Sequence, residues 1–171
     1  AGYLGDDQNV ASLMWFLENV WNAIRDSVPG LEFHVIGADA SEALIATLSS
    51  YSDVVLHRDS GDRKMTELGL RVMVEPLLNE HHIEAKLVNA MVRGIPIATT
   101  REALTHSRLD STDAVSVADS PAHMVLNLRR LLSEATLWQA LSERSQRIGS
   151  ALLAYHEVAH SMRRFLVQVE S

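Results

Sequence analysis

The sharpest chemical signal in the chain is His156-Glu157-Val158-Ala159-His160, two imidazoles one helical turn apart with a glutamate between them, the pattern of a zinc site with its general base. A hydrolytic zinc needs a third protein ligand and an open position. Only 11 residues follow His160, and Arg163 stands where the longer form of the motif requires glycine. Ile148, Leu152, Tyr155, Ala159, Met162, Leu166 and Val169 also form a four-three apolar stripe through the same segment, which the two histidines flank. The match reads as coincidence in a surface helix. A second group, His81, His82 and Glu84, combines imidazoles with a carboxylate, but neighbours at a helix start point in different directions, so capping and ligand contact suit them better than a shared metal. No metal site is expected.

Other chemistries are excluded more directly. There is no Gly-x-Gly-x-x-Gly, no Gly-x-x-x-x-Gly-Lys and no Gly-x-Ser-x-Gly, so the dinucleotide fingerprint, the P-loop and the hydrolase elbow are missing. Serine, histidine and aspartate are plentiful, but no spacing selects a triad. The absence of cysteine removes disulfides, thiolate zinc sites and thiol nucleophiles, and fits a reducing compartment. A net charge of -7, without a basic stripe, argues against nucleic acid or an anionic membrane as partner. No apolar run approaches the roughly 18 residues of a transmembrane helix, and the expected location is cytoplasmic.

The elements that must position any site follow from periodicity. At 171 residues and 47% hydrophobic, the chain suits one domain. Residues 2–4 read as a strand with no lead-in, as if cut from something longer. Val10, Leu13, Met14, Leu17, Val20, Trp21, Ile24 and Val28 line one face of a helix over 9–28, capped by Asn9, Asp6 or Asp7 and stopped by Pro29-Gly30. A strand over 31–36 closes on Gly37, where a tight turn suits a residue without a Cβ. Helix 41–48, strand 53–57, helix 61–68 and strand 71–74 follow, and Pro76 breaks the chain. Helix 83–93 ends at Gly94 in a left-handed cap, and strands occupy 95–99 and 114–117. Pro121 opens a helical remainder with breaks near Thr136 and Gly149. Strand-helix alternation implies a three-layer Rossmann-like α/β domain with a parallel six-stranded sheet in the order 3-2-1-4-5-6 and a helical C-terminal segment. Ligands of such sheets bind beyond the carboxyl ends of the strands, which points to loops 5–9, 37–40, 58–61, 75–83 and 99–103.

One segment carries a resemblance. Arg71-Val72-Met73-Val74-Glu75-Pro76, then residues 79–84, then Ala85-Lys86-Leu87-Val88-Asn89-Ala90-Met91-Val92-Arg93-Gly94-Ile95-Pro96 is similar to the donor-site strand, loop, helix and strand of GT-B glycosyltransferases, with their Lys-x-x-E-A-M-x-x-G-x-P-V pattern. The opening, Gly2-Tyr3-Leu4 with Asn9, Trp15-Phe16-Leu17, Trp21 and Phe33-His34-Val35-Ile36-Gly37, resembles the same domain in the retaining, group 1 (family 4-like) enzymes, and Leu137-Trp138 fits its closing segment.

The resemblance implies a single domain over 1–171, the C-terminal half of a larger hexosyltransferase. That half is inactive without an N-terminal acceptor domain. Its substrate would be a nucleoside-diphosphate sugar, with no cofactor and no metal. The diphosphate would meet the helix start at His82, Ile83 and Glu84, with Lys86 adding charge to the helix dipole as the leaving group departs. Base and ribose would lie along Gly37 and the loop beginning at Arg58, and Gly5 sits in the first loop. Catalytic residues are not assigned. The two glutamates that the retaining families place eight residues apart fall on His81 and Asn89. Asn89 still accepts from a ribose hydroxyl, whereas residues 79–84 offer no glycine and place Glu80 and Glu84 near Lys86. The alternative is a degenerate, regulatory domain, with Lys86 simply solvated on a helix surface. The C-terminal stripe would pack on the N-terminal domain or core, or pair two copies.

Overall fold

The computed structural model describes residues 2–58, 67–76, 85–106 and 114–169, with the side chains of 85, 105, 106 and 156–169 left aside. The expected helix over 61–68 and the expected loops over 58–61 and 75–83 therefore fall largely outside the described residues.

The first helical run spans α1 (Asp7–Phe16), a π-helical turn (Leu17–Trp21) and α2 (Asn22–Arg25). Asp6, in extended backbone, caps it by accepting from the N–H groups of Gln8 at 2.8 Å and Asn9 at 3.0 Å. Strand β1 (Phe33–Ile36) follows, then α3 (Glu42–Ser49) with Ser41 as its cap, and β2 (Val54–His57). Next come β3 (Met73–Glu75), α4 (Ala85–Val92), β4 (Ile97–Thr100), α5 (Arg101–His106) and β5 (Val115–Ala118). The chain closes with α6 (Pro121–Ser133) and α7 (Ala135–Val169).

The described strands are all parallel and form two sheets, β1-β2 and β3-β4-β5, so the expectation of one six-stranded sheet is met only in part. Residues 2–4 run beside β1 without forming a ladder: Gly2 N–H donates to Ile36 O and Leu4 N–H to Ala38 O, both at 2.9 Å.

Helices cover both faces. On one side Leu87, Ala90 and Met91 of α4 and Ala103 and Leu104 of α5 pack on Ile36, Met73, Ile97 and Val115, with Ile148 and Leu152 of α7 outside them. On the other, Phe16 through Ile24, Leu44, Leu48, Met124 and Leu128 pack on Val35, Ala98 and Ala118. Adjacent residues Val35 and Ile36, or Ile97 and Ala98, fall in different clusters because successive strand side chains alternate faces.

Three sequence expectations need correction. Gly149 does not break the last helix; a Cβ there would lie 2.6 Å from the Met91 Cβ and 2.7 Å from the Val92 N, so glycine lets the α7 and α4 backbones touch. Gly37 is not required by a left-handed turn; an added Cβ would come 2.1 Å from Gly2 O, so it yields space to the N-terminal segment. The expected loop 99–103 is instead the end of β4 and the start of α5. Gly94 behaves as expected: its φ is +67°, and the N–H groups of Gly94 and Ile95 close the helix on Met91 O and Ala90 O, both at 2.9 Å.

Candidate functional site

The carboxyl end of β3 and the first described turn of α4 meet beside the N-terminal segment. Thr99 and Thr100 fix the exit of β3, donating their hydroxyls to Glu75 O at 2.8 Å and Pro76 O at 2.7 Å. That aims the Glu75 side chain inward, where Lys86 Nζ lies 2.8 Å from its Oε2. Glu75 is buried and Lys86 nearly so, at 6% and 12% exposure, so the idea of Lys86 as a solvated surface residue is overturned.

Gly2 completes this corner. A Cβ on it would sit 3.6 Å from Lys86 Nζ and 3.5 Å from Asn9 Nδ2, which itself donates to Tyr3 O at 2.9 Å. Gly2, Asn9, Ser12, Glu75, Pro76 and Lys86 thus form the polar end of a cavity of about 330 Å³. That volume is at the small end of the range for small-molecule sites. The cavity continues as an apolar slot between Phe33, Val35, Leu70, Val72 and Val74.

Of the residues singled out from sequence, the cavity wall includes Lys86 and not Gly5, Gly37, Asn89 or Arg58. Gly5 is exposed against the Tyr3 ring, where a Cβ would meet Cζ at 2.7 Å. Gly37 supports the site indirectly through its contact with Gly2. Asn89 is half-buried on α4, and Arg58 is exposed just after β2. His81, His82, Ile83 and Glu84 lie outside the described residues, as do the side chains of His156 and His160. Among the described residues no group of three His, Asp or Glu is arranged to hold a metal ion, and no helix is long and apolar enough to cross a membrane.

Glu75 is the residue that the sequence reading missed. A lone acid at the end of the apolar run Val72-Met73-Val74 was the available signal, since the carboxyl end of a buried parallel strand is where ligand chemistry gathers. Its consequence is electrostatic. A carboxylate 2.8 Å from the ammonium cancels most of the charge that Lys86 would offer an anion, while holding the lysine against the cavity. The corner is therefore a preorganised hydrogen-bonding site of little net charge.

Over residues 1–134 the sequence matches the family described as Glycosyl transferases group 1. No curated protein matches the chain. Among solved structures the fold is similar to that of WaaG, a glycosyltransferase involved in lipopolysaccharide biosynthesis, with a TM-score of 0.59 and 21% identity. The match covers 82% of this chain and 39% of the WaaG chain, so the present chain spans well under half of that protein's length.

Proposed function

This chain belongs to the glycosyl transferases group 1 family, and from that premise we propose that it is the donor-binding half of a glycosyltransferase. It would hold a nucleoside-diphosphate sugar at the polar corner formed by Gly2, Asn9 and Lys86, for transfer to an acceptor carried on a separate N-terminal domain. The observation that supports this reading best is Lys86 itself, only 12% exposed and lining the cavity from the first described turn of α4. The ion pair with Glu75 fixes where that ammonium stands. The diphosphate would gain from that ammonium and from the helix dipole as charge develops on the leaving group. The sheet order of the reading is 3-2-1-4-5-6, with β2 and β1 followed by residues 2–4 and then β3, β4 and β5. The far part of α7, where Leu153 and Tyr155 are exposed at 41% and 72%, would dock on the other domain. A cytoplasmic location accords with the lack of cysteine.

A second reading rests on Glu75. If its carboxylate has taken the diphosphate's place as counter-ion to Lys86, the domain is a degenerate one with a regulatory role. His81 and Asn89, standing where the family has glutamates, favour the same view.

Calorimetric titration of the chain with UDP, GDP and ADP and their sugar conjugates separates the two. Saturable binding of one base, weakened at least tenfold by Lys86→Ala, is the expected result. Absence of binding by all three, with binding gained in Glu75→Gln, would replace the donor reading with the degenerate one.

A further inference from the structure

Helix α7 crosses the larger sheet at its amino-terminal edge, opposite the polar corner. Trp138, Ser142, Ser145 and Gly149 recur on it with four-three-four spacing, which puts them on one face. Three of them donate to backbone carbonyls just ahead of the three strands. Trp138 Nε1–H donates to Arg71 O before β3 at 2.7 Å, the Ser142 hydroxyl to Gly94 O before β4 at 2.6 Å, and the Ser145 hydroxyl to Ala114 O before β5 at 2.6 Å. The carboxyl end of α4 is gripped most closely. Its carbonyls at Asn89, Ala90 and Met91 accept from the N–H groups of Arg93, Ile95 and Gly94. Val92 O instead accepts from the Gln146 amide at 3.3 Å, and Gly94 O from Ser142. Gly149, lacking a side chain, lets the two backbones meet at Met91 and Val92.

Lys86 stands towards the other end of the same helix, about 9 Å along its axis from Val92. Leu87, Ala90 and Met91 pack α4 on Ile36, Met73 and Ile97. Such apolar contact opposes lifting, but it is non-directional and resists a slide or a roll only weakly. Hydrogen bonds to fixed carbonyls, with a backbone contact at Gly149, supply the missing direction. The margin is small: a slide of about 1 Å takes the 2.8 Å contact between Lys86 and Glu75 out of hydrogen-bond range. We propose that Ser142, Gln146 and Gly149 are positioning residues for Lys86, setting its ammonium at the cavity through α4 from the far edge of the sheet. Trp138 and Ser145 tie the same face of α7 to the ends of β3 and β5, so the brace is anchored to the frame that carries Glu75. None of the three positioning residues lines the cavity, and their effect on it travels through α4. The use of that placement for a diphosphate rests on the donor reading above, whereas the placement itself exists without a nucleotide.

The test follows the Lys86 ammonium protons by NMR in the full chain without ligand. Gly149→Ala pushes a methyl against Met91 and Val92, and the milder pair Ser142→Ala with Gln146→Met removes both hydrogen bonds to the end of α4. Leu48→Ala, in the cluster on the other face, is a control that destabilises without touching α7. Exchange of the ammonium protons with water is expected to quicken at least fivefold in both brace variants and to keep its original rate in the control. A lower Tm with unchanged exchange in the brace variants would overturn the assignment, because the contacts would then only stabilise. Equal quickening in the control would overturn it too, as general loosening. Nucleotide titration is the separate arm. Where UDP, GDP or ADP binds the unaltered chain, its Kd should rise at least threefold in the milder pair, and an unchanged Kd would count against positioning. Binding of none of them would sink the donor reading, with the exchange rates still deciding the brace.

Discussion

Strand β2 reads Val54-Val55-Leu56-His57 and strand β4 reads Ile97-Ala98-Thr99-Thr100, so β2 is the more apolar of the two. Yet three residues of β4 are buried and none of β2 is. The difference lies in position. β4 has a parallel strand on each edge and helices α4, α5 and α6 over its faces, whereas among the described residues β2 pairs with β1 alone and is covered by α3. Burial in a sheet is conferred by neighbours, and hydropathy only permits it. The charged corner belongs to the larger half, where α4 and α5 pack over the strands and Glu75 and Lys86 are held largely out of water.

The largest expected effect tests that covered half. Lys86→Met leaves the Glu75 carboxylate buried without its ammonium, and urea denaturation should show a loss of about 3–5 kcal/mol. The double variant Glu75→Leu with Lys86→Met should recover most of it. A full-sized loss in the double variant would mean that packing, not charge, dominates there. Next, Ile97→Ala in β4 should cost about 2–5 kcal/mol, as for other buried large-to-small changes. Leu56→Ala in β2, half-exposed, should cost less than half as much, and equal losses would break the comparison. Gly149→Ala drives a methyl into the α4 backbone and should cost about 1–3 kcal/mol, read from the same denaturation curves.

The smallest effect belongs to the surface. The Arg101 guanidinium, hydrogen-bonded to Asp119, holds that carboxyl below the usual aspartate range, with His123 adding to the shift. A lowered folded value gives stability that is present above the unfolded pKa and fades as pH falls through the folded one. Both groups are exposed, so Arg101→Ala should leave the denaturation midpoint unchanged at pH 7. It should raise the Asp119 midpoint in an NMR titration, and an unmoved midpoint would remove Arg101 as the cause.

Much of the fold was legible because it rests on local rules. The α/β alternation, the Asp6 region as first cap, the Gly94 cap and the Pro121 start all came from residue chemistry within a few positions. What stayed hidden depends on distant partners. Gly149 looks like a helix break until α4 is seen against it, and Gly37 looks like a turn until Gly2 O is placed beside it. Helix α5 follows β4 without an intervening loop, so nothing in composition marks the change. At the site, Lys86 was legible from its pattern, whereas its burial and its pairing with Glu75 required knowing that β3 ends beside α4. Asn9 and Ser12 joined the corner for a similar reason, being short polar residues on a helix whose apolar neighbours dominated the periodicity.

The π-helical turn at Leu17–Trp21 sets the phase of the first helical run. Ser12, Phe16, Val20 and Ile24 recur every four residues and are all buried. An unbroken α-helix advances 3.6 residues per turn, so a stripe of that spacing would rotate off the core by about 40° at each step, or about 120° from Ser12 to Ile24. One extra residue accommodated in a π turn absorbs roughly 100° of that rotation. The length of this segment is thereby tuned to the body it packs on. Removing one residue between 17 and 21 would return the run to a regular α-helix and leave Ser12 and Phe16 in phase with Ile24, whereas adding one more would swing them by about 100°, carrying the cap at Asp6 and the polar corner at Asn9 with them.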